Sequence, residues 1–137
     1  MRLQRLLCPL VALLLLGACA TSTKAVRSEF EDIPVPKGLT YLADSSTIIE
    51  SPTVKTARLI YRGRLEPTSL AAAWRATLEA NGWRHVSSTS VENRGTTQIY
   101  EKAGSSLEVR VWEGLFGFFT YGEVTASRAL PPPSTSR

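Results

Sequence analysis

The stretch Leu107-Glu108-Val109-Arg110-Val111-Trp112 (LEVRVW, 107–112) decides the fold class. Leu107, Val109 and Val111 alternate with Glu108, Arg110 and Trp112. A period of two is what a strand needs when one face packs on a core and the other meets water. The neighbouring segments repeat the theme. Trp83 to Val91, Thr96 to Lys102 and Phe118 to Ala126 also read as strands. Between them stand Glu92-Asn93-Arg94-Gly95, Ala103-Gly104-Ser105 and Gly114 to Gly117, short runs suited to turns. Four strands joined by tight turns make an antiparallel meander.

Upstream of the meander the period changes. Leu70, Ala71, Trp74, Thr77 and Leu78 fall at the spacing of an amphipathic helix stripe. Glu66-Pro67-Thr68-Ser69 opens that helix, with Pro in the first turn. Asn81-Gly82 closes it, Gly supplying the left-handed cap. Before the helix, Ala57 to Leu65 is a half-buried strand, with Leu59, Tyr61 and Leu65 on one side. Arg58, Arg62 and Arg64 share the other side, interrupted by Ile60. Tyr41 to Ile49 reads as one further strand, followed by a turn at Ser51-Pro52-Thr53. Residues 33–39 are extended, because each Pro biases its predecessor away from helix. The expected order is ββαββββ. This is an α+β domain with an antiparallel sheet of five to six strands and one helix across one face. Trp74 and Leu78 are expected to pack on Leu59, Tyr61, Leu107, Val109 and Val111.

The first 18 residues follow a different logic. Arg2 and Arg5 form a basic head, and Leu6 to Leu16 is an apolar run broken only by Cys8 and Pro9. Eleven residues are too few for a membrane span, which takes about 20, and suit the core of a signal peptide. Leu16-Gly17-Ala18-Cys19 then resembles the lipobox of bacterial lipoproteins. The resemblance implies cleavage between Ala18 and Cys19, diacylglycerol on the Cys19 thiol and an acyl chain on its new amine. It implies no other cofactor. The alternative is an ordinary cleaved signal peptide with an incidental Cys. Position 20 is Ala. In enterobacterial lipoproteins an Asp there retains the protein in the inner membrane, so in a Gram-negative host the resemblance implies the outer membrane, facing the periplasm.

Cys8 and Cys19 are the two cysteines. With Cys8 cleaved away and Cys19 lipidated, no intramolecular disulfide forms, and the domain stands on its hydrophobic core. The formal charge of +4 includes Arg2 and Arg5, so the mature chain carries +2. That balance, with export, argues against a nucleic-acid partner. The expected organisation is a signal peptide over 1–18 and a lipidated tether over 19–32. The α+β domain follows over 33–129, and a Pro-rich tail over 130–137.

A second resemblance rests on DIPVPKGL (32–39), YRGRL (61–65), ANGW (80–83) and YEK (100–102). These are similar to segments of a group of small proteobacterial lipoproteins without an assigned activity, so no functional residues carry over. The helix-on-sheet plan is also similar to small domains of outer-membrane assembly lipoproteins, a likeness of fold alone.

Chemistry has few places to reside. His85 is the only histidine, and no G-x-S-x-G elbow accompanies it. It is expected on the strand face opposite Val86. Asp32 and Asp44 are the only aspartates, no metal-ligand spacing occurs, and no Gly-rich phosphate loop joins strand to helix. Glu101, Glu108, Glu113 and Glu123 fall on adjacent strands, so paired carboxylates of the glycosidase kind are the one enzymatic option. No catalytic residue and no metal site are assigned.

Two features point to binding instead. Arg58, Arg62 and Arg64 suit phosphates of lipid or lipopolysaccharide, or peptidoglycan carboxylates, unless Glu residues of a neighbouring strand neutralise them. Residues 114–122, GLFGFFTYG, place Leu115 and Phe116 at a hairpin tip, where an exposed apolar group marks a partner or membrane contact. The competing arrangement folds this loop back over the core. Leu115, Phe116, Phe119 and Tyr121, with Trp112 as neighbour, form the candidate contact surface. The expected function is a lipid-anchored, non-enzymatic binding or scaffold module of the cell envelope. A small lipid or ligand carrier and a cell-wall hydrolase are the alternatives.

Overall fold

In a computed structural model, residue 30 and residues 33–130 are described. The lipobox with Ala18 and Cys19, the tether apart from Phe30, and residues 131–137 of the tail lie outside the described residues. The elements are β1 (Leu39–Tyr41), β2 (Thr47–Glu50), β3 (Val54–Gly63), α1 (Pro67–Ala80), β4 (Arg84–Val91), β5 (Gly95–Lys102), β6 (Ser105–Glu113) and β7 (Thr120–Ala129). The α+β class and the helix on one sheet face stand.

The strand count differs from the expectation of five to six. The sheet has seven strands, in the order β1-β3-β7-β6-β5-β4, with β2 also paired to β3. All pairings are antiparallel. The segment read as one strand over 41–49 is two strands on one edge of β3, so the order is βββαββββ. A single 3-10 turn at Ala43–Ser45 divides them. Ser46 fixes the jog: its hydroxyl donates to the Leu42 carbonyl at 2.8 Å and accepts the Ile60 amide at 3.0 Å. A side chain that satisfies two backbone groups gives the chain a local alternative to the ladder.

The helix starts and stops where the sequence places its caps. The Glu66 carboxylate accepts from the amides of Thr68 and Ser69 at 2.9 and 2.6 Å. The Thr68 hydroxyl foremost, with these amides, holds the Glu66 carboxyl at a pKa of about 2. At the other end Gly82 takes a left-handed φ of 83°. Leu70, Ala71, Trp74 and Leu78 are buried against the sheet. They join Leu59, Tyr61, Leu107, Val109 and Val111 in one core. Trp74 is fully buried and meets Tyr61 edge-on, centroids 6.1 Å apart. Phe30, within the segment read as tether, belongs to this core and faces Arg128 near the end of β7. The packed chain therefore includes Phe30.

A short polar chain crosses the core. The Tyr100 hydroxyl donates to Gln98 Oε1 at 2.9 Å, and Gln98 Nε2 donates to the Ala71 carbonyl at 3.2 Å. Burial pushes the Tyr100 phenol up to a pKa of about 12, with Arg75 opposing and Glu79 adding to the shift. In the unfolded chain the phenol ionises near 10. The unfolded state therefore loses the proton first as pH rises. Stability from this group is intact below pH 10 and falls between pH 10 and 12, by roughly 3 kcal/mol in all. Alkaline unfolding of the parent protein and of Tyr100→Phe measures this. The parent is expected to lose stability more steeply than the variant in that window, and equal slopes would contradict the assignment.

Candidate functional site

β3 and β7 pair over ten residues, from Val54↔Ala129 to Gly63↔Thr120. Alternation along these strands puts Ala57, Leu59 and Tyr61 under the helix with Val124 and Ala126. The same alternation leaves the other face of the sheet open. On it lie Arg58 and Arg62 of β3 with Ile60 buried between them, Tyr121 and Glu123 of β7, and Glu108, Arg110 and Trp112 of β6.

The arginine row divides. Arg58 donates from Nη2 to Glu123 Oε2 at 2.7 Å, which raises its pKa further and pairs its charge with a carboxylate. This is the neutralised arrangement that was the competing expectation for all three. Arg62 and Arg64 behave otherwise. β3 ends at Gly63, so Arg64 follows the strand rather than lying in it. Both guanidinium groups sit over the Phe119 ring, at 4.6 Å for Arg62 and 5.3 Å for Arg64. An arginine over an aromatic face is held by the ring quadrupole and keeps its N–H donors pointing outward. Arg110 stands 5.5 Å from the Trp112 ring in the same way. The ion pairs among the described residues join Lys55 to Glu50, Arg58 to Glu123, Arg75 to Glu79 and Arg84 to Glu101. Arg62, Arg64 and Arg110 belong to none of these.

The aromatic half of the surface is equally ordered. Trp112 and Tyr121 are register partners across β6 and β7, and their rings stack at 5.6 Å with planes 13° apart. Gly114 makes room for this stack, since a Cβ there would come within 2.6 Å of Tyr121 Cε2. Beyond β6 the chain makes a 3-10 turn at Leu115–Gly117. Leu115, Phe116 and Phe118 are 84, 81 and 72% exposed. The loop does not fold back over the core. Phe119 is half-buried. Phe116 holds a φ of 72°, which is uncommon for a large side chain. The surface thus joins two features that the sequence offered separately: the basic row contributes Arg62 and Arg64, and the aromatic tip contributes Phe119, Tyr121 and Trp112.

The remaining candidates are placed elsewhere. His85 pairs with Tyr100 across β4 and β5, their rings edge-on at 5.4 Å. A bulge between His85 and Ser87 shifts the alternation and leaves Val86 exposed. The same bulge brings Ser88 Oγ within 2.9 Å of His85 Nε2, a serine–histidine contact that motif reading missed. No carboxylate partner for His85 occurs among the described residues, so the pair lacks the orienting acid of a triad. Glu101 and Glu123 are engaged by Arg84 and Arg58. No cluster of three or more His, Cys, Asp or Glu suited to a metal occurs among the described residues. None of their helices is long and apolar enough to cross a membrane. No protein-family model, curated protein or solved structure matches this chain.

Proposed function

We propose that the protein is a lipid-anchored, non-enzymatic binding module of the cell envelope, attached through Cys19 at the periplasmic face of the outer membrane. It works through the basic and aromatic end of its open sheet face. One observation carries the reading: Arg62 and Arg64 converge on Phe119 beside the stacked Trp112 and Tyr121, under a tip of exposed apolar side chains. Folded domains rarely expose several large apolar groups together unless something covers them. Outward-facing guanidinium donors add recognition of phosphate or carboxylate. The lipobox at 16–19 and Ala20 support the address. A carrier of lipid between helix and sheet finds less support, because Leu59, Leu70, Trp74, Leu78 and Tyr100 fill that space.

Two measurements test the reading. Labelled palmitate is expected to enter the parent protein and to be absent from Cys19→Ser, which is expected to leave the membrane fraction. A photoreactive residue at position 121 is expected to yield reproducible adducts in the native envelope. The same residue at position 76, exposed on the helix, is expected to yield none. Equal adducts from both positions would remove the open face as the binding site.

A further inference from the structure

We propose that the 115–118 tip is a wedge that inserts into an anionic phospholipid surface, with Leu115, Phe116 and Phe118 entering the acyl boundary while Arg62, Arg64 and Arg110 bind headgroup phosphates. The proposal deepens the binding-module reading and rests on it for the choice of surface.

Shape is the first argument. The tip is convex: three large side chains project from a turn. A convex apolar point encloses no small ligand, and it suits a soft, deformable surface that closes around it. Charge is the second. The arginines sit just behind the apolar point, held over Phe119 and Trp112. Apolar groups at the boundary with cations at phosphate depth is the layout of an interfacial anchor. Trp112 and Tyr121 add the amphipathic rings that favour that boundary. Of the nearby carboxylates, Glu123 is bound to Arg58. Glu113 projects from the helix side of β6 and its carboxylate stands at the base of the tip, where a Cβ on Gly117 would lie 3.0 Å from Oε1, so in the inserted state it stays at headgroup depth beside the arginines. Glu108 shares the open face with Arg110 and lies farther along β6 from the tip.

Geometry is the third argument. Phe30 faces Arg128 at one end of β7, and the tip precedes Thr120 at the other. Eight residue steps separate Thr120 from Arg128, about 27 Å of strand. Eleven steps separate Cys19 from Phe30, a reach of at most about 36–40 Å. A chain held at Cys19 can therefore lay its sheet along the bilayer and bring the tip to the same surface.

The test uses the full chain carrying an environment-sensitive fluorophore on Phe116→Cys, and the same probe on Ala76→Cys. The protein is reconstituted into phosphatidylethanolamine–phosphatidylglycerol vesicles or into pure phosphatidylcholine. Mature protein with Cys19→Ser, which carries no acyl chains and leaves the introduced cysteine as the labelled thiol, is added to the same vesicles at high lipid, so that insertion by the tip is read apart from the anchor. Blue-shifted emission quenched by acyl-chain nitroxides is expected at 116 and not at 76, and more strongly in the anionic vesicles. Each Arg→Gln change at 62 or 64 is expected to lower the inserted fraction relative to the solvent-exposed one about fivefold. Leu115→Ser with Phe118→Ser is expected to lower it more than tenfold, because two large apolar side chains are withheld from the acyl boundary. Thermal unfolding of all three variants is expected to match the parent, since the altered residues lie outside the core. Water-like emission at 116 in both vesicle types would overturn the lipid proposal. Protein adducts from position 121 would still separate that result from a failure of the binding-module reading.

Discussion

Trp74→Ala is expected to lower unfolding stability by about 3–5 kcal/mol. Trp74 is fully buried on the sheet-facing side of α1 and packs edge-on against Tyr61 of β3. Its indole lies so near β7 that a Cβ on Gly122 would stand 3.2 Å from Nε1. One side chain thus ties the helix to the adjacent strands β3 and β7. The indole N–H has no hydrogen-bond partner among the described residues, so Trp74→Phe loses less than the size change alone suggests. Domains of this size hold only about 5–15 kcal/mol in total, which makes the alanine variant marginal. Urea unfolding followed by circular dichroism measures it. Trp112→Ala is the control: that ring lies on the open face, half-buried, and its loss is expected to cost less than a third as much. Equal effects at 74 and 112 would mean that the helix is not seated as described.

Gly95→Ala is expected to cost at least about 2 kcal/mol and to damage the proposed binding surface as well. Gly95 holds a φ of 89°, and a Cβ there would sit 2.0 Å from the Val111 carbonyl oxygen and 2.9 Å from Trp112 Cα. Both obstacles are backbone, so no side-chain rotation relieves them. Overpacking of this kind costs about 1–3 kcal/mol, and the left-handed conformation adds about 1–2 kcal/mol for a residue with a Cβ. Gly104→Ala separates the two contributions. It shares the positive φ, at 76°, and meets nothing within 4 Å. The difference between the two variants reads the steric part alone. Because the obstruction lies at Trp112, Gly95→Ala is also expected to weaken the near-ultraviolet signal of the Trp112–Tyr121 stack. Gly104→Ala is expected to leave that signal unchanged.

Local chemistry made most of the elements legible. Glu66, Pro67 and Gly82 announce the ends of α1, and β6 is plain from its strict alternation. The Tyr41–Ile49 segment misled because Ile48 and Ile49 read as strand while Ser46, one hydroxyl serving two backbone groups, broke it. The basic row and the aromatic tip were each visible as composition. Their union was not, because it depends on the pairing of Arg62 with Tyr121, residues far apart in the chain. Periodicity records which side of a strand a residue takes and carries no register between distant strands. The His85–Ser88 contact was hidden for a related reason: a bulge adds one residue and reverses the parity that counting by twos assumes.

The placement of Phe30 and the tip at opposite ends of β7 has a thermodynamic consequence for a domain held at Cys19. A group confined within a tether's length of a surface meets it at an effective concentration in the millimolar range. A tip whose free affinity is only about 1 mM, roughly 4 kcal/mol, is then engaged about half the time. In the proposed arrangement such a contact would let the domain alternate between lying on the bilayer and standing away from it. Displacement by a stronger ligand of the arginines would then require little free energy, while an anchor at Cys19 would keep the protein from being lost.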